Sequence, residues 1–265
     1  MIRVCLAGVT GWVGRDLVGA IASAPDLELA AAVSRGSAGK PLSEAVAGGA
    51  STLIVSGSVA EALAAPSDVL VDYTAPEAVR SHALEAIRRG RHVVIGTSGL
   101  REEDFAAIDA AARERGVGVL AAGNFALTAV LLQRFAEIAA RHVPQWEILE
   151  YAKASKPDAP SGTARELAAR LARIRPPEIG HPIDRTQGHK EARGAHLGGS
   201  QVHSVRLPGF ISSIEILFGM RDERLSIRHD SGSGAAPYVA GTLLAVRRVP
   251  GFVGLRRGLD TILEL

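Results

Sequence analysis

The chain has 265 residues, of which 47% are hydrophobic and 22% charged, with 30 basic against 28 acidic side chains. This is the composition of a folded globular chain, and a net charge of +2 offers no basic face for nucleic acid. A single cysteine, Cys5, excludes an internal disulfide and a cysteine-based zinc site. No apolar run reaches the ~18–20 residues of a membrane span, and the first residues lack the form of a secretory leader, so a cytoplasmic location is expected.

Residues 2–7 read as a buried strand ended by Gly8, 14–23 as a helix, 27–33 as a strand and 58–65 as a short helix. Strands at 69–73, 92–95 and 116–121 then alternate with helices at 76–89 and 102–115. That alternation predicts an α/β fold with a parallel sheet and crossover helices. Beyond it the pattern changes. A long apolar-periodic helix over 128–141, a strand over 146–151, a polar loop at 153–163 and a helix over 164–174 follow. Residues 175–199, rich in Pro, Gly, His and charge, read as a long flexible loop. Runs at 201–206, 213–218 and 224–229 read as an antiparallel meander, and a helix over 237–247 precedes a short tail. The layout is a nucleotide-type domain, a second α+β domain, and a last helix that returns to the first.

Gly8-Val9-Thr10-Gly11-Trp12-Val13-Gly14 lies between the first strand and the first helix, with glycines every three residues. Such a turn is tight, lets a pyrophosphate approach the backbone, and aims a helix N-terminus at the anion. The plain alternative is a Gly-rich turn without a ligand. The second strand ends in Ser34-Arg35-Gly36-Ser37, with Lys40 nearby and no carboxylate. A carboxylate there would bond ribose hydroxyls, whereas Arg accepts a 2′-phosphate, so NADPH is the expected cofactor and NADH the weaker one. A solvated loop arginine is the alternative. Three later strand ends carry cofactor candidates that would line the same edge of the sheet: Tyr73 and Thr74, then Gly96, Thr97 and Ser98, then Gly123, Asn124 and Phe125.

The chain uses Arg for most of its cations and has only four lysines, two of them Lys153 and Lys156. A lysine proton can be tuned and transferred, which an arginine proton cannot. Ser161, Gly162 and Thr163 follow at a helix start, where exposed N–H groups form an anion pocket and Lys156 supplies a counter-charge and a proton. Helix capping by Ser161 or Thr163 is the alternative. Lys153 would lower the Lys156 pKa if the two ammoniums approach closely, or would itself bind a carboxylate. His181, His189, His196 and His203 are spaced by eight, seven and seven residues, which matches no helical ligand pair, so no metal is expected.

The string Lys156-Pro157-Asp158-Ala159-Pro160-Ser161-Gly162-Thr163 resembles the signature of the 4-hydroxy-tetrahydrodipicolinate (dihydrodipicolinate) reductase family of lysine biosynthesis. The likeness extends to the first Gly-rich turn, the 72–77 and 96–99 segments, Gly123-Asn124-Phe125, Ser204-Val205-Arg206, His229 and Ala240-Gly241-Thr242. It implies a Rossmann-type domain over 1–124 and 236–265. It also implies an α+β domain over 125–235, with a mostly antiparallel sheet, that binds a small anionic substrate and builds a homotetramer. The implied reaction is hydride transfer from a nicotinamide to a cyclic imine-type dicarboxylate, with Lys156 as the acid and Lys153, Ser161, Gly162 and Thr163 on the substrate.

The chain departs from the family pattern where that pattern carries two adjacent histidines. Here Ala152 and Lys153 occupy those positions. Ala152 cannot act as an acid or base, whereas Lys153 still offers a cation to a carboxylate. Two competing readings follow. One is a paralogous imine reductase or an amino-acid or amine dehydrogenase. The other is an NADPH-binding sensor or scaffold without turnover.

Overall fold

The computed structural model describes residues 1–47 and 52–264. One unit comprises Met1–Leu127 and Ala235–Leu265, and a second comprises Thr128–Gly234. Leu265, the last residue of the expected first domain, lies outside the described residues.

The first unit begins with β1 (Ile2–Ala7), α1 (Trp12–Ser23), β2 (Leu27–Val33), the short α2 (Leu42–Ala45) and α3 (Val59–Ala62), β3 (Val69–Asp72) and α4 (Pro76–Arg88). It continues through β4 (His92–Ile95), α5 (Glu102–Arg115) and β5 (Gly118–Ala121). The second unit holds all of α6 (Leu127–His142) but its first residue, then β6 (Gln145–Ala152), α7 (Gly162–Ala172), β7 (Ala195–Leu197), β8 (Ser200–Arg206), β9 (Ser212–Met220) and β10 (Glu223–Ser231). The chain then returns to the first unit with α8 (Ala236–Arg248) and β11 (Gly254–Arg257).

The first sheet runs in the order β11-β5-β4-β3-β1-β2, and every pairing in it is parallel. Strands β3 and β5 are buried at every position, as expected of a sheet covered on both faces. Helix α4 starts with Pro at its first position, where no N–H is needed, and buries Val79, Ala83, Ala86 and Ile87 along one stripe. Helix α5 stops at Gly116, which adopts the left-handed conformation of a C-cap. The order reverses between β1 and β3, and a ligand crevice opens at such a switch point.

The expected tail contains β11, which adds a sixth parallel strand beside β5. Its four residues, Gly-Leu-Arg-Arg, lack an apolar pattern. It is held instead by the ladder and by the Leu255 N–H, which donates to Asp109 Oδ1 at 2.7 Å.

The second unit also departs from expectation. Its sheet has the order β10-β9-β6-β8-β7, so β6 separates β8 from β9, and of the expected meander only the antiparallel β9–β10 pair forms. Strand β6 pairs antiparallel with β9 and parallel with β8. It takes the central place because alternate residues are buried, and Trp146 and Ile148 join α6 and α7 in one core with Leu132, Leu167 and Phe218. Turn signals reveal where strands end but not which strand they meet. The stretch 175–199 is likewise more ordered than a flexible loop. It contains β7, which forms a hairpin with β8 through Gly198-Gly199, both at positive φ.

Candidate active site

In the first unit β1 hands over to α1 with no room for side chains. Gly8 has φ +91°, and a Cβ on it would lie 2.3 Å from the Tyr73 carbonyl oxygen. A Cβ on Gly14 would lie 2.0 Å from the Gly8 carbonyl oxygen. Gly11 is the N-cap of α1, in extended conformation and without a side-chain cap, and the first turn carries no acidic residue. The first-turn amides and the positive end of the helix dipole are therefore left for an outside anion. A cleft of about 440 Å³ runs from Gly8 and Gly11 past Ser34 and Arg35 to Thr74 and His82. No carboxylate borders it among the described residues. The glycine cradle and the open amides fit the phosphates of a dinucleotide, with Arg35 at the border of the cleft.

The other expected cofactor residues divide into two groups. Thr10 Oγ1 lies 2.9 Å from Ser34 Oγ, tying the glycine turn to the end of β2. Val9 and Val13 are buried in the core, so their part in the turn is backbone. Trp12 is 59% exposed and meets Tyr238 edge-on, with ring centroids 5.4 Å apart. The Tyr73 ring turns inward: Thr242 gives its own proton to the Tyr238 carbonyl, so Tyr73 donates to Thr242 Oγ1 at 2.7 Å. Burial pushes the Tyr73 phenol well above its ordinary value. Phe125 packs against Tyr73 in the core, and Asn124 Oδ1 accepts from the Ala126 N–H at 2.8 Å. Gly96 is half-buried, whereas Ser98 and Gly123 are exposed at the strand ends. Thr97 Oγ1 donates to Asp72 Oδ1 at 2.7 Å and accepts from the Thr74 N–H at 2.8 Å.

The Asp72–His82 pair behind this cleft was not foreseen. No spacing rule marks it, because a strand end and the second turn of the next helix meet only through the crossover.

In the second unit β6 delivers Glu150, 1% exposed, beneath the lysine loop. Glu150 Oε1 accepts from the Ser161 N–H at 3.0 Å, the Ser204 hydroxyl at 2.6 Å and Arg206 Nη2 at 2.6 Å. Arg206 Nη2 also donates to the Asp158 carbonyl at 2.7 Å. Burial pushes the Glu150 carboxyl up, but the bonds from Ser161, Ser204 and Arg206 outweigh it and hold the group below its ordinary value. Lys156 is half-buried, and its Nζ lies 2.6 Å from Asp158 Oδ1. That bond holds the Asp158 carboxyl below its ordinary value. The charge in contact with Lys156 is thus a carboxylate, while Lys153 is exposed.

Ser161 Oγ accepts from the Ala164 N–H at 3.3 Å, so its side chain caps α7. Its own N–H goes to Glu150. The amides of Gly162 and Thr163 in the first turn of α7 remain directed to an outside acceptor. Ala152 is 1% exposed and packs within the sheet. His229 Nδ1 lies 3.0 Å from Thr128 Oγ1, and burial lowers its pKa. His203 Nε2 lies 2.8 Å from Glu147 Oε2, and His196 Nδ1 lies 2.9 Å from Gln201 Oε1. Among the described residues no group of three or more side chains could hold a metal ion.

A parallel sheet with an uncapped glycine turn, together with a second unit that presents a lysine before a helix N-terminus, defines the class: a two-unit, dinucleotide-dependent oxidoreductase. The family described as dihydrodipicolinate reductase, N-terminus, matches residues 2–125, and its C-terminus counterpart matches residues 128–259. The 4-hydroxy-tetrahydrodipicolinate reductase of Geobacillus kaustophilus is 38% identical over 265 residues, covering 99% of each chain. A dipicolinate-bound dihydrodipicolinate reductase from Paenisporosarcina sp. TG-14 superposes with a TM-score of 0.90 at 34% identity, covering 99% of this chain and 100% of that one. An amine dehydrogenase from Mycobacterium smegmatis shares the fold, with a TM-score of 0.68 at 15% identity over 98% of this chain and 95% of that one. The chain belongs to the dihydrodipicolinate reductase family, whose members are NAD(P)H-dependent reductases of lysine biosynthesis.

Proposed function

We propose that the chain reduces 4-hydroxy-tetrahydrodipicolinate and prefers NADPH to NADH, acting in the cytoplasm as a homotetramer. The observation that carries this reading is the loop around Lys156, anchored by Glu150 and Arg206 ahead of the open amides of α7. When bound, the nicotinamide supplies a hydride to the electrophilic carbon of the substrate. The chain's own residues do the rest. The amides of Gly162 and Thr163, with the dipole of α7, hold one substrate carboxylate. Lys153 meets the second. Lys156 exchanges its bond to Asp158 for one to the substrate and delivers a proton to the neighbouring nitrogen or the leaving hydroxyl. Arg35 selects the cofactor by pairing with the 2′-phosphate, with Ser34 beside it.

A further feature supports the assembly. The face of the second sheet turned away from α6 and α7 carries Leu149, Tyr151 and Leu217 among the charged and polar side chains Glu147, His203, Glu215 and Arg228, a mixed surface that we assign to contact with a second copy. Among the described residues no helix is long and apolar enough to cross a membrane.

The buried Ala152 favours a second reading, in which the loss of a side-chain acid at this point marks a different cyclic imine. Absorbance at the NADPH band separates the two. The first reading expects oxidation of NADPH by freshly made 4-hydroxy-tetrahydrodipicolinate at a kcat/KM comparable to that of a family member with the histidine pair. Tight NADPH binding without oxidation would overturn it and direct the assay to other cyclic imines.

A further inference from the structure

The nucleotide cleft has one wall to which the reading above gives no task. It is formed by α4, and its polar group is His82, whose side chain is 23% exposed. His82 Nδ1 lies 2.8 Å from Oδ2 of Asp72, a fully buried carboxylate at the end of β3. The other oxygen, Asp72 Oδ1, accepts from the Thr74 N–H at 3.0 Å, the Thr74 hydroxyl at 2.8 Å and the Thr97 hydroxyl at 2.7 Å. With Oδ1 saturated by donors, Oδ2 is the acceptor for the ring, and Nδ1 carries the proton. The ring is therefore held in one orientation and one tautomer, and Nε2 is the nitrogen left for a ligand. Ser34 and Arg35 border the same cleft.

We propose that His82 is a binding contact for the adenosine ribose of the dinucleotide, common to both cofactors, and that Asp72 is the residue that positions its ring. The inference rests on reading this cleft as the nucleotide site. A neutral Nε2 accepts a hydrogen bond, which suits a ribose hydroxyl. The 3′-hydroxyl that both dinucleotides keep is such a donor. One ring so held serves either cofactor, whereas Arg35 rewards only the phosphorylated one. A buried carboxylate supported by threonines at two strand ends is more than a turn requires: Thr74 and Thr97 fix the acceptor, the acceptor fixes the ring, and the ring faces the ligand.

The test is calorimetric titration of the full chain with adenosine 2′,5′-bisphosphate, NADPH and NADH, for the natural sequence and for His82→Ala and His82→Gln. His82→Ala should weaken all three by about tenfold, the loss of one hydrogen bond to a polar partner. Nitrogen-15 NMR of the imidazole should show the Nδ1–H tautomer, an Nε2 resonance that moves when adenosine 2′,5′-bisphosphate is added, and loss of the single tautomer in Asp72→Asn. Dissociation constants within about twofold of the natural chain in both His82 variants would overturn the proposal. Should His82→Ala melt at a much lower temperature, His82→Gln decides alone. If the natural chain binds none of the three nucleotides, the reading of the cleft falls and this proposal with it. If it binds them and the variants bind equally, only this proposal falls.

Discussion

In the first unit the anion turn is made of backbone: Gly8, Gly11 and Gly14 clear space, and the uncapped amides of α1 face outward. In the second unit the corresponding loop is held by side chains, with Glu150 and Arg206 beneath it and Lys156 paired to Asp158. A backbone site is rigid once the strand and helix form, and it recognises any phosphate of the right shape. A side-chain site depends on ion pairs whose cost and gain nearly cancel, so it can be altered by a single substitution.

The contrast can be broken from either side. The largest effect is expected from Lys156→Ala, which should lower kcat by about 10²–10⁴-fold through loss of the acid. The dissociation constant for NADPH, measured by fluorescence, should not move, because the two sites lie in separate units. Unchanged turnover would remove Lys156 from the reaction.

Glu150→Gln comes next. It leaves Arg206 with a neutral partner in a nearly dry site, and breaking such a pair costs about 3–5 kcal/mol in a denaturant melt. The pH dependence has a definite sign. The Glu150 carboxyl is held below its ordinary 4.5, so its contribution is present above that value and is lost as the pH falls through the depressed one. The natural chain should therefore lose stability on acidification below this range, and Glu150→Gln should flatten that limb. An identical acid limb in the variant would assign the pH dependence to other carboxylates.

The smallest effect belongs to Arg35→Ala. It should raise the KM for NADPH by about tenfold, the loss of a charge-assisted bond, and leave NADH unchanged. An equal effect on both cofactors would place Arg35 on a group that they share.

What was legible in the sequence follows the same division. The strands 2–7, 27–33 and 92–95 and the helix 102–115 fall where expected, because a buried parallel strand is a short apolar run and its helix has one apolar stripe. The glycine turn could be read because its spacing encodes the shape directly. The second sheet could not be read in this way. Its longer strands were visible, but the insertion of β6 between β8 and β9 and the pairing of β7 with β8 depend on which burial partners each face finds.

The sequence by itself determined the class of fold, the phosphate turn and the lysine loop, because each is local and periodic. Only the tertiary structure decided that Lys156 meets Asp158, that Phe125 is buried while Tyr73 bonds Thr242 at the border of the cleft, and that Asp72 holds His82 against the cleft. These are contacts between side chains brought together by crossovers. Their energies depend on burial and on the other donors present, which spacing along a chain does not carry.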